Sequence, residues 1–140
     1  MAPLSEGASI EPSAVVRGPA DVEHVRRLVR SYCRANELRP HQSEELVLAA
    51  SELANNLVRH ATPGGTITCR RLSDGRHKAI EVKSTDSGPG IEDVDLAMTD
   101  GFSTVGGLGL GLAAARRAVD RFEISSEHQA TVVRLIKWLD

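Results

Sequence analysis

A glycine-rich segment between Asp86 and Gly111 constrains the fold of this chain more than any other feature of its sequence. The segment contains seven glycines and few bulky side chains. Because glycine has no side chain and adopts conformations closed to other residues, this density predicts backbone that approaches a ligand closely. The segment ends in Gly-Gly-Leu-Gly-Leu-Gly at residues 106–111, where a helix is predicted to begin. Free N–H groups at a helix N-terminus, aided by the helix dipole, commonly hold phosphate oxygens.

The residues on either side of this segment predict an α/β domain. Apolar side chains at intervals of three and four residues predict three helices, which begin near Asp21, near Pro40 and within Gly109 to Leu112. Strand-like runs lie at 10–17, 66–72, 78–84, 122–126 and 130–138. Asp74-Gly75 between the second and third runs is a strong hairpin signal. This order of elements predicts a two-layer α/β sandwich with the helices against one face of a sheet.

Length and charge limit the classes of function. The chain has 140 residues, 41% of them hydrophobic, which is typical of one globular domain; we expect a flexible tail at 1–9 and a single domain at 10–140. Its net charge of −2, without a basic stripe, argues against nucleic acid as a partner. No apolar run approaches the ~18 residues of a membrane span, and no leader pattern opens the chain. The expectation is a cytoplasmic protein that does not bind membranes and whose cysteines form neither a disulfide framework nor a metal cage.

Two polar side chains on the predicted second helix form a first candidate site. Glu52 and Asn56 are four residues apart, so they lie on one face about 40° from each other, and His60 extends the row. The row lies beside the apolar stripe of the helix rather than within it. On this feature alone, a solvated helix face that also contains Asn55 and Arg59 is the better interpretation, and neither Arg59 nor His60 receives a role.

A second candidate site is Asp86-Ser87-Gly88-Pro89-Gly90, which directly follows a predicted buried strand. A carboxylate there can accept a hydrogen bond from an exocyclic amine while a flat ring lies against the glycine backbone. An ordinary turn fits these residues equally well. Further along the chain, Gly109, Gly111 and Ala114 match the dinucleotide-binding fingerprint G-x-G-x-x-A, but that interpretation fails because these glycines do not directly follow a strand.

Read together and in order, the motifs E-x-x-x-N on a helix, D-x-G-x-G after a strand and G-x-G-x-G before a helix resemble the conserved boxes of the Bergerat ATP-binding fold. Gyrase, histidine kinases and small anti-sigma-factor kinases share this fold. The resemblance covers residues 44–138. Within the superfamily, the run 100–112 and the ending Ile136-Lys137-Trp138 are most similar to the RsbT-like serine/threonine switch-protein kinases. The resemblance implies a GHKL (HATPase_c-like) two-layer sandwich, with three main helices on one face of a mixed sheet.

The resemblance also implies ATP and Mg²⁺ as cofactors and a role for each motif residue. Asn56 would ligate Mg²⁺, and Glu52 would be the general base or an orienting carboxylate. The nucleotide would be held by Asp86 at the adenine amine, Gly88 and Gly90 along the adenine pocket, and Gly107, Gly109 and Gly111 over the phosphates. Many relatives carry Gly-Thr where this chain has Ala130-Thr131. Thr131 can still support the adenine end, whereas Ala130 would be strained if its backbone required a positive φ, which would alter nucleotide affinity.

The function implied is an Mg-ATP-dependent protein serine/threonine kinase of a stressosome-type partner-switching module. It would phosphorylate a STAS-domain antagonist and, when released, activate a PP2C-type phosphatase. The chain has no room before residue 20 for the dimerisation helices of a histidine kinase, so the acceptor is expected on another protein. The alternative is a binding module or anti-sigma factor of the same fold, which sequesters a sigma factor or other regulator with weak or no kinase activity. The oligomeric state stays open.

Overall fold

The computed structural model describes residues 5–6, 11–60, 64–86, 108–127 and 130–139. Three helices follow the predicted periodicity: α1 (Ala20–Ala35), α2 (Pro40–His60) and α3 (Leu108–Arg117). The strands are β1 (Ser5–Glu6), β2 (Ser13–Val16), β3 (Gly65–Ser73), β4 (Lys78–Asp86), β5 (Arg121–Glu127) and β6 (Ala130–Trp138). None of the helices among the described residues is long and apolar enough to cross a membrane.

The strands form one sheet in the order β3, β4, β6, β5, with β1 and β2 sharing the edge beside β3. Ser5 and Glu6 belong to the predicted tail, yet they pair with Ser73 and Leu72. Every described pairing is antiparallel, so the expectation of a mixed sheet was wrong. The crossover through α3 does return β5 parallel to β4. The β5–β6 hairpin, however, places β6 between them, and hydrogen-bonded neighbours therefore always run in opposite directions.

The helices bury one face of this sheet, which confirms the two-layer α/β sandwich. The core between the sheet and the helices takes side chains from each central strand. Ile67 of β3, Val82 of β4 and Leu135 of β6 are fully buried there, together with the apolar stripes of α1 and α2. Cys33 of α1 and Cys69 of β3 lie in the same core, where burial raises the pKa of the first thiol to about 11 and of the second to about 12. Both cysteines are therefore neutral thiols at physiological pH.

An aspartate in the first turn of α1 binds the backbone that leads into the helix. The Asp21 carboxylate accepts hydrogen bonds from the backbone N–H of Arg17 at 2.8 Å and of Gly18 at 3.1 Å. These bonds favour the ionised carboxylate and hold the pKa of Asp21 below its ordinary value. The chain thereby leaves β2 and turns directly into the helix layer, which brings α1 against α2.

Candidate functional site

Glu52 and Asn56 of α2 converge on the backbone of α3 at Gly111. A Cβ atom added to Gly111 would lie 3.3 Å from Glu52 Oε2 and 3.2 Å from Asn56 Oδ1. Gly111 is buried, and the two polar side chains are half-buried. The fold therefore brings together two of the three sequence motifs, E-x-x-x-N on α2 and the glycines of α3. They meet because α3 packs on the polar row of α2 rather than leaving that row to solvent. Glycine leaves room for this approach, whereas a Cβ at the same position would require the two side-chain ends to move by a few tenths of an ångström.

Asn56 carries an unsatisfied polar group in this position. Its Nδ2 is buried and has no hydrogen-bond partner among the described residues. A buried donor without a partner costs roughly 1–3 kcal/mol, so this nitrogen is available to an acceptor that the described residues do not supply. One turn further along α2, His60 Nε2 is buried and unpartnered in the same sense. Burial, followed by the charge of Arg59, lowers the pKa of His60 and so favours the neutral form of the imidazole.

The second part of the site lies at the end of β4. The backbone N–H of Thr131 donates a hydrogen bond of 2.9 Å to Asp86 Oδ1, although the two residues are 45 positions apart. Thr131 is buried and Asp86 is half-buried. The bond fixes the orientation of the carboxylate at the strand end. Both residues were predicted from the sequence to serve the same end of a ligand, and the pairing of β4 with β6 places them in direct contact.

The two parts are joined by Gly65, which is not among the residues predicted for the site. A Cβ atom added to Gly65 would lie 2.8 Å from Leu57 Cδ2 and 2.9 Å from the Cα of Asp86, and would also collide with the Thr85 carbonyl oxygen. Because Leu57 follows Asn56 on α2, this close packing sets the last turns of α2 against the end of β4. The sequence feature that could have indicated this close contact is the doublet Gly64-Gly65, directly before the predicted strand at 66–72.

A buried lysine braces the helices from the opposite end. Lys137 of β6 is only 5% exposed, and its Nζ lies 2.9 Å from Glu45 Oε1 of α2 and 3.0 Å from the carbonyl oxygen of Ala118, just after α3. The hydrogen bond from Lys137 lowers the pKa of the Glu45 carboxyl. The lysine thereby holds the end of α3 on α2. Lys137 belongs to the ending Ile136-Lys137-Trp138 that supported the family resemblance, but no role was predicted for its side chain.

The remaining predicted positions are placed as follows. Gly109 lies in the first turn of α3, whereas Gly88, Gly90 and Gly107 are outside the described residues. Ala130 begins β6 opposite Glu127. Among the described non-glycine residues only Glu37 has a positive φ, so Ala130 carries no strain of the kind considered above.

Comparisons with known proteins agree with this architecture. The family model for the histidine kinase-like ATPase domain matches residues 16–137. The serine/threonine-protein kinase RsbT of Bacillus subtilis is 35% identical over 120 residues, which cover 85% of this chain and 90% of that protein.

Two solved structures share the fold at low sequence identity. The first contains the RsbU and RsbW domains of a Mycobacterium tuberculosis protein; it has a TM-score of 0.66 and 18% identity over 92% of this chain, and the match covers 32% of that longer chain. The second is the SiaB–SiaC complex of Pseudomonas aeruginosa, with a TM-score of 0.60 and 14% identity over 91% of this chain and 88% of that one. Fold, motifs and sequence identity lead to one conclusion: the chain belongs to the histidine kinase-like ATPase domain family and, within it, to the RsbT family of serine/threonine-protein kinases.

Proposed function

We propose that this protein transfers the terminal phosphoryl group of ATP to a serine or threonine of a partner protein within a partner-switching module. The observation that carries the proposal is the convergence of Glu52 and Asn56 on Gly111. A carboxylate, a carboxamide and a helix N-terminus meet there, and these are the groups that phosphoryl transfer requires for positioning the acceptor and the phosphates. Membership of the RsbT family supports the same reaction.

The residues present fit a magnesium ion. Mg²⁺ takes oxygen ligands and keeps several waters, so one protein oxygen together with nucleotide phosphates makes a sufficient site. Asn56 is the residue that would hold it, through its carboxamide oxygen, which is directed toward α3 at Gly111. When bound, the ion would neutralise negative charge on the transferring phosphoryl group.

Glu52 is proposed to orient the acceptor hydroxyl and to receive its proton. One turn of helix separates it from Asn56, which would bring the carboxylate beside the phosphates of a bound nucleotide. Asp86 would accept a hydrogen bond from the adenine amino group, with Thr131 holding the carboxylate in place through the bond described above. Gly88 and Gly90 are proposed to line the adenine pocket, and Gly107, Gly109 and Gly111 to cover the phosphates.

The proposed acceptor is a STAS-domain antagonist, and the proposed second partner is a PP2C-type phosphatase that the released kinase activates. This assignment is supported by the 35% identity to RsbT over most of both chains. A stressosome-type module in the cytoplasm, where ATP is supplied, is the setting that we propose. The competing role is that of an anti-sigma factor, which holds a sigma factor without transferring phosphate.

A phosphotransfer assay separates these roles. Purified protein is incubated with γ-labelled ATP, Mg²⁺ and a STAS-domain protein encoded in the same genome, and label on the STAS protein is followed over time. We expect transfer by the wild type and a loss of about 10²–10⁴-fold in Glu52→Gln, the usual contribution of a positioned general base. ATP affinity, measured by calorimetry, should survive in Glu52→Gln and fall in Asn56→Ala.

A wild-type protein that binds ATP but labels no STAS protein, and that instead forms a stable complex with a sigma factor, contradicts the kinase proposal. Equal transfer rates for the wild type and Glu52→Gln would remove the role of Glu52 alone. The matched control is Glu37→Gln, which alters an exposed carboxylate in the turn between α1 and α2.

A further inference from the structure

An exposed leucine lies one helical turn from the proposed catalytic carboxylate. Leu48 of α2 is 56% exposed, and among the described residues only Val15, at 55%, is a large hydrophobic side chain of similar exposure. Leu48 precedes Glu52 by four residues, so it lies about 6 Å along the helix and about 40° around it from Glu52. Glu52 borders α3, whereas Leu48 points outward on the crest of α2. The leucine therefore lies beside the site and outside the nucleotide cleft.

Arginines lie along the neighbouring helix α1, and Arg27 is at the level of this leucine. The two helices form an antiparallel pair, whose register is set by a bidentate bond from Arg30 to Glu44, with distances of 3.0 Å and 3.2 Å. One turn back from Arg30 along α1 is Arg27, and one turn on from Glu44 along α2 is Leu48. Arg27 and Leu48 are therefore at the same level on neighbouring helices, whose axes are typically 8–10 Å apart.

Two of these arginines have charge available for a partner. Arg27 and Arg34 are exposed and form no ion pair with any residue that the structure describes. Arg34 also lines an open groove of about 210 Å³ between the helices, whose other walls are Arg30, Leu38, Pro40, Ser43 and Glu44. The outer side of the helix pair thus combines two arginines that are unpaired within the described part of the chain, a groove of mixed polar and apolar lining, and an exposed leucine.

We propose that this surface, the α1–α2 crest formed by Arg27, Arg34 and Leu48, docks the protein that carries the acceptor hydroxyl. The inference rests on the proposed function and deepens it. The occupant is the acidic surface of the acceptor protein: its carboxylates face the arginines and one of its apolar side chains covers Leu48. A segment of the acceptor protein that contacts Leu48 has to extend only one turn along α2 to reach Glu52. A serine or threonine in that segment is thereby brought to the carboxylate.

Leu48 and the arginines contribute to binding at this crest in different ways. A buried apolar anchor surrounded by weaker polar contacts carries most of the affinity in typical protein interfaces, so Leu48 sets the lifetime of the complex. The arginines act at longer range, accelerating encounter with an acidic partner and making it dependent on salt. Neither group contacts the nucleotide, so substitutions here leave ATP affinity unchanged.

The test is steady-state phosphorylation of the STAS-domain protein by the wild type, Leu48→Ser and Arg27→Glu, with ATP affinity measured in parallel. We expect KM for the acceptor protein to rise about tenfold in Leu48→Ser, the effect of truncating an interface anchor, with kcat and ATP affinity unchanged. In Arg27→Glu we expect a smaller rise in KM and a weaker dependence on ionic strength.

The structure supplies a matched control for each variant. Val15→Ser removes an equally exposed side chain from β2, and Arg76→Glu reverses an exposed charge in the β3–β4 turn, at the far end of two nine-residue strands from Asp86. A KM unchanged in Leu48→Ser, or raised equally in Val15→Ser, overturns the docking proposal while leaving the kinase intact. A wild type that labels no acceptor overturns the proposed function itself, and the docking role falls with it.

Discussion

Gly111→Ala is the substitution that most directly tests the geometry of the site. The new methyl group would lie 3.2 Å from Asn56 Oδ1 and 3.3 Å from Glu52 Oε2, a few tenths of an ångström inside ordinary contact. Both neighbours are the ends of half-buried side chains, so they can rotate aside. Alanine gains about 1 kcal/mol over glycine within a helix, and an off-rotamer side chain costs about 0.5–1.5 kcal/mol. These contributions nearly cancel in the free energy of unfolding.

Binding and catalysis should respond differently from stability. Displacing the Asn56 carboxamide and the Glu52 carboxylate separates the groups that the proposed function requires together, and a misplacement of about 1 Å can cost a hundredfold in rate. We therefore expect Gly111→Ala to unfold within about 1 kcal/mol of the wild type in urea, while ATP affinity falls by about tenfold or more and phosphotransfer falls further.

The control is Gly18→Ala, because a Cβ at Gly18 meets no atom within 4 Å and the position lies before α1. This variant should bind ATP and transfer phosphate as the wild type does. If Gly111→Ala binds ATP with wild-type affinity and retains full activity, the convergence of Glu52 and Asn56 on α3 has no part in nucleotide chemistry, and the reasoning fails.

Three further predictions concern charges within the fold. Lys137→Met removes the bonds to Glu45 and to the Ala118 carbonyl, and should lower the free energy of unfolding by about 1–3 kcal/mol in urea denaturation. The pKa of Glu45 is lowered in the folded state, so its carboxylate stabilises the fold above its ordinary pKa, and this stabilisation is lost as the pH falls through the lower folded value. Plots of unfolding free energy against pH for the wild type and Glu45→Gln should therefore converge in acid. Arg70→Met leaves the carboxylate of Glu81, 1% exposed, without its bidentate partner and should cost about 3–5 kcal/mol, with much of the loss recovered in the double variant with Glu81→Gln.

Local periodicity made much of this structure predictable. The three helices and the hairpin follow from apolar spacing and from Asp74-Gly75, since both signals lie within one element or one turn. The row of Glu52 and Asn56 is equally local, because four residues of helix fix their relative position. Sequence spacing could not reveal that Gly111 lies against them, since that contact depends on how α3 packs on α2; the family resemblance implied it only by assigning all three residues to one nucleotide.

Other features depend on strand neighbours that no local pattern specifies. Alternation along β4 placed Glu81 on the face away from the core, where a solvated side chain would be expected. Arg70 instead faces Glu81 across the β3–β4 hairpin, and β6 on the other side of β4 brings Arg134, whose Nε lies 3.9 Å from the Glu81 carboxylate. The expectation of a mixed sheet came from the family resemblance, and the position of β6 between β4 and β5 makes every described pairing antiparallel. The partners of Lys137 are likewise distant in sequence, with Glu45 92 positions away.

The contacts that were hardest to predict are the ones that hold the two halves of the site in register. Lys137 ties the end of α3 to the start of α2, which keeps Gly111 over the polar row. Gly65 allows the opposite end of α2 to rest on the last residues of β4, where Asp86 lies. The helix α2 therefore contacts both the phosphate end and the adenine end of the proposed nucleotide site. Its position is fixed near one terminus by Lys137 and near the other by Gly65, neither of which has a role in the proposed chemistry. Changes at either brace should consequently weaken nucleotide binding as a whole rather than shift preference between adenine and other bases.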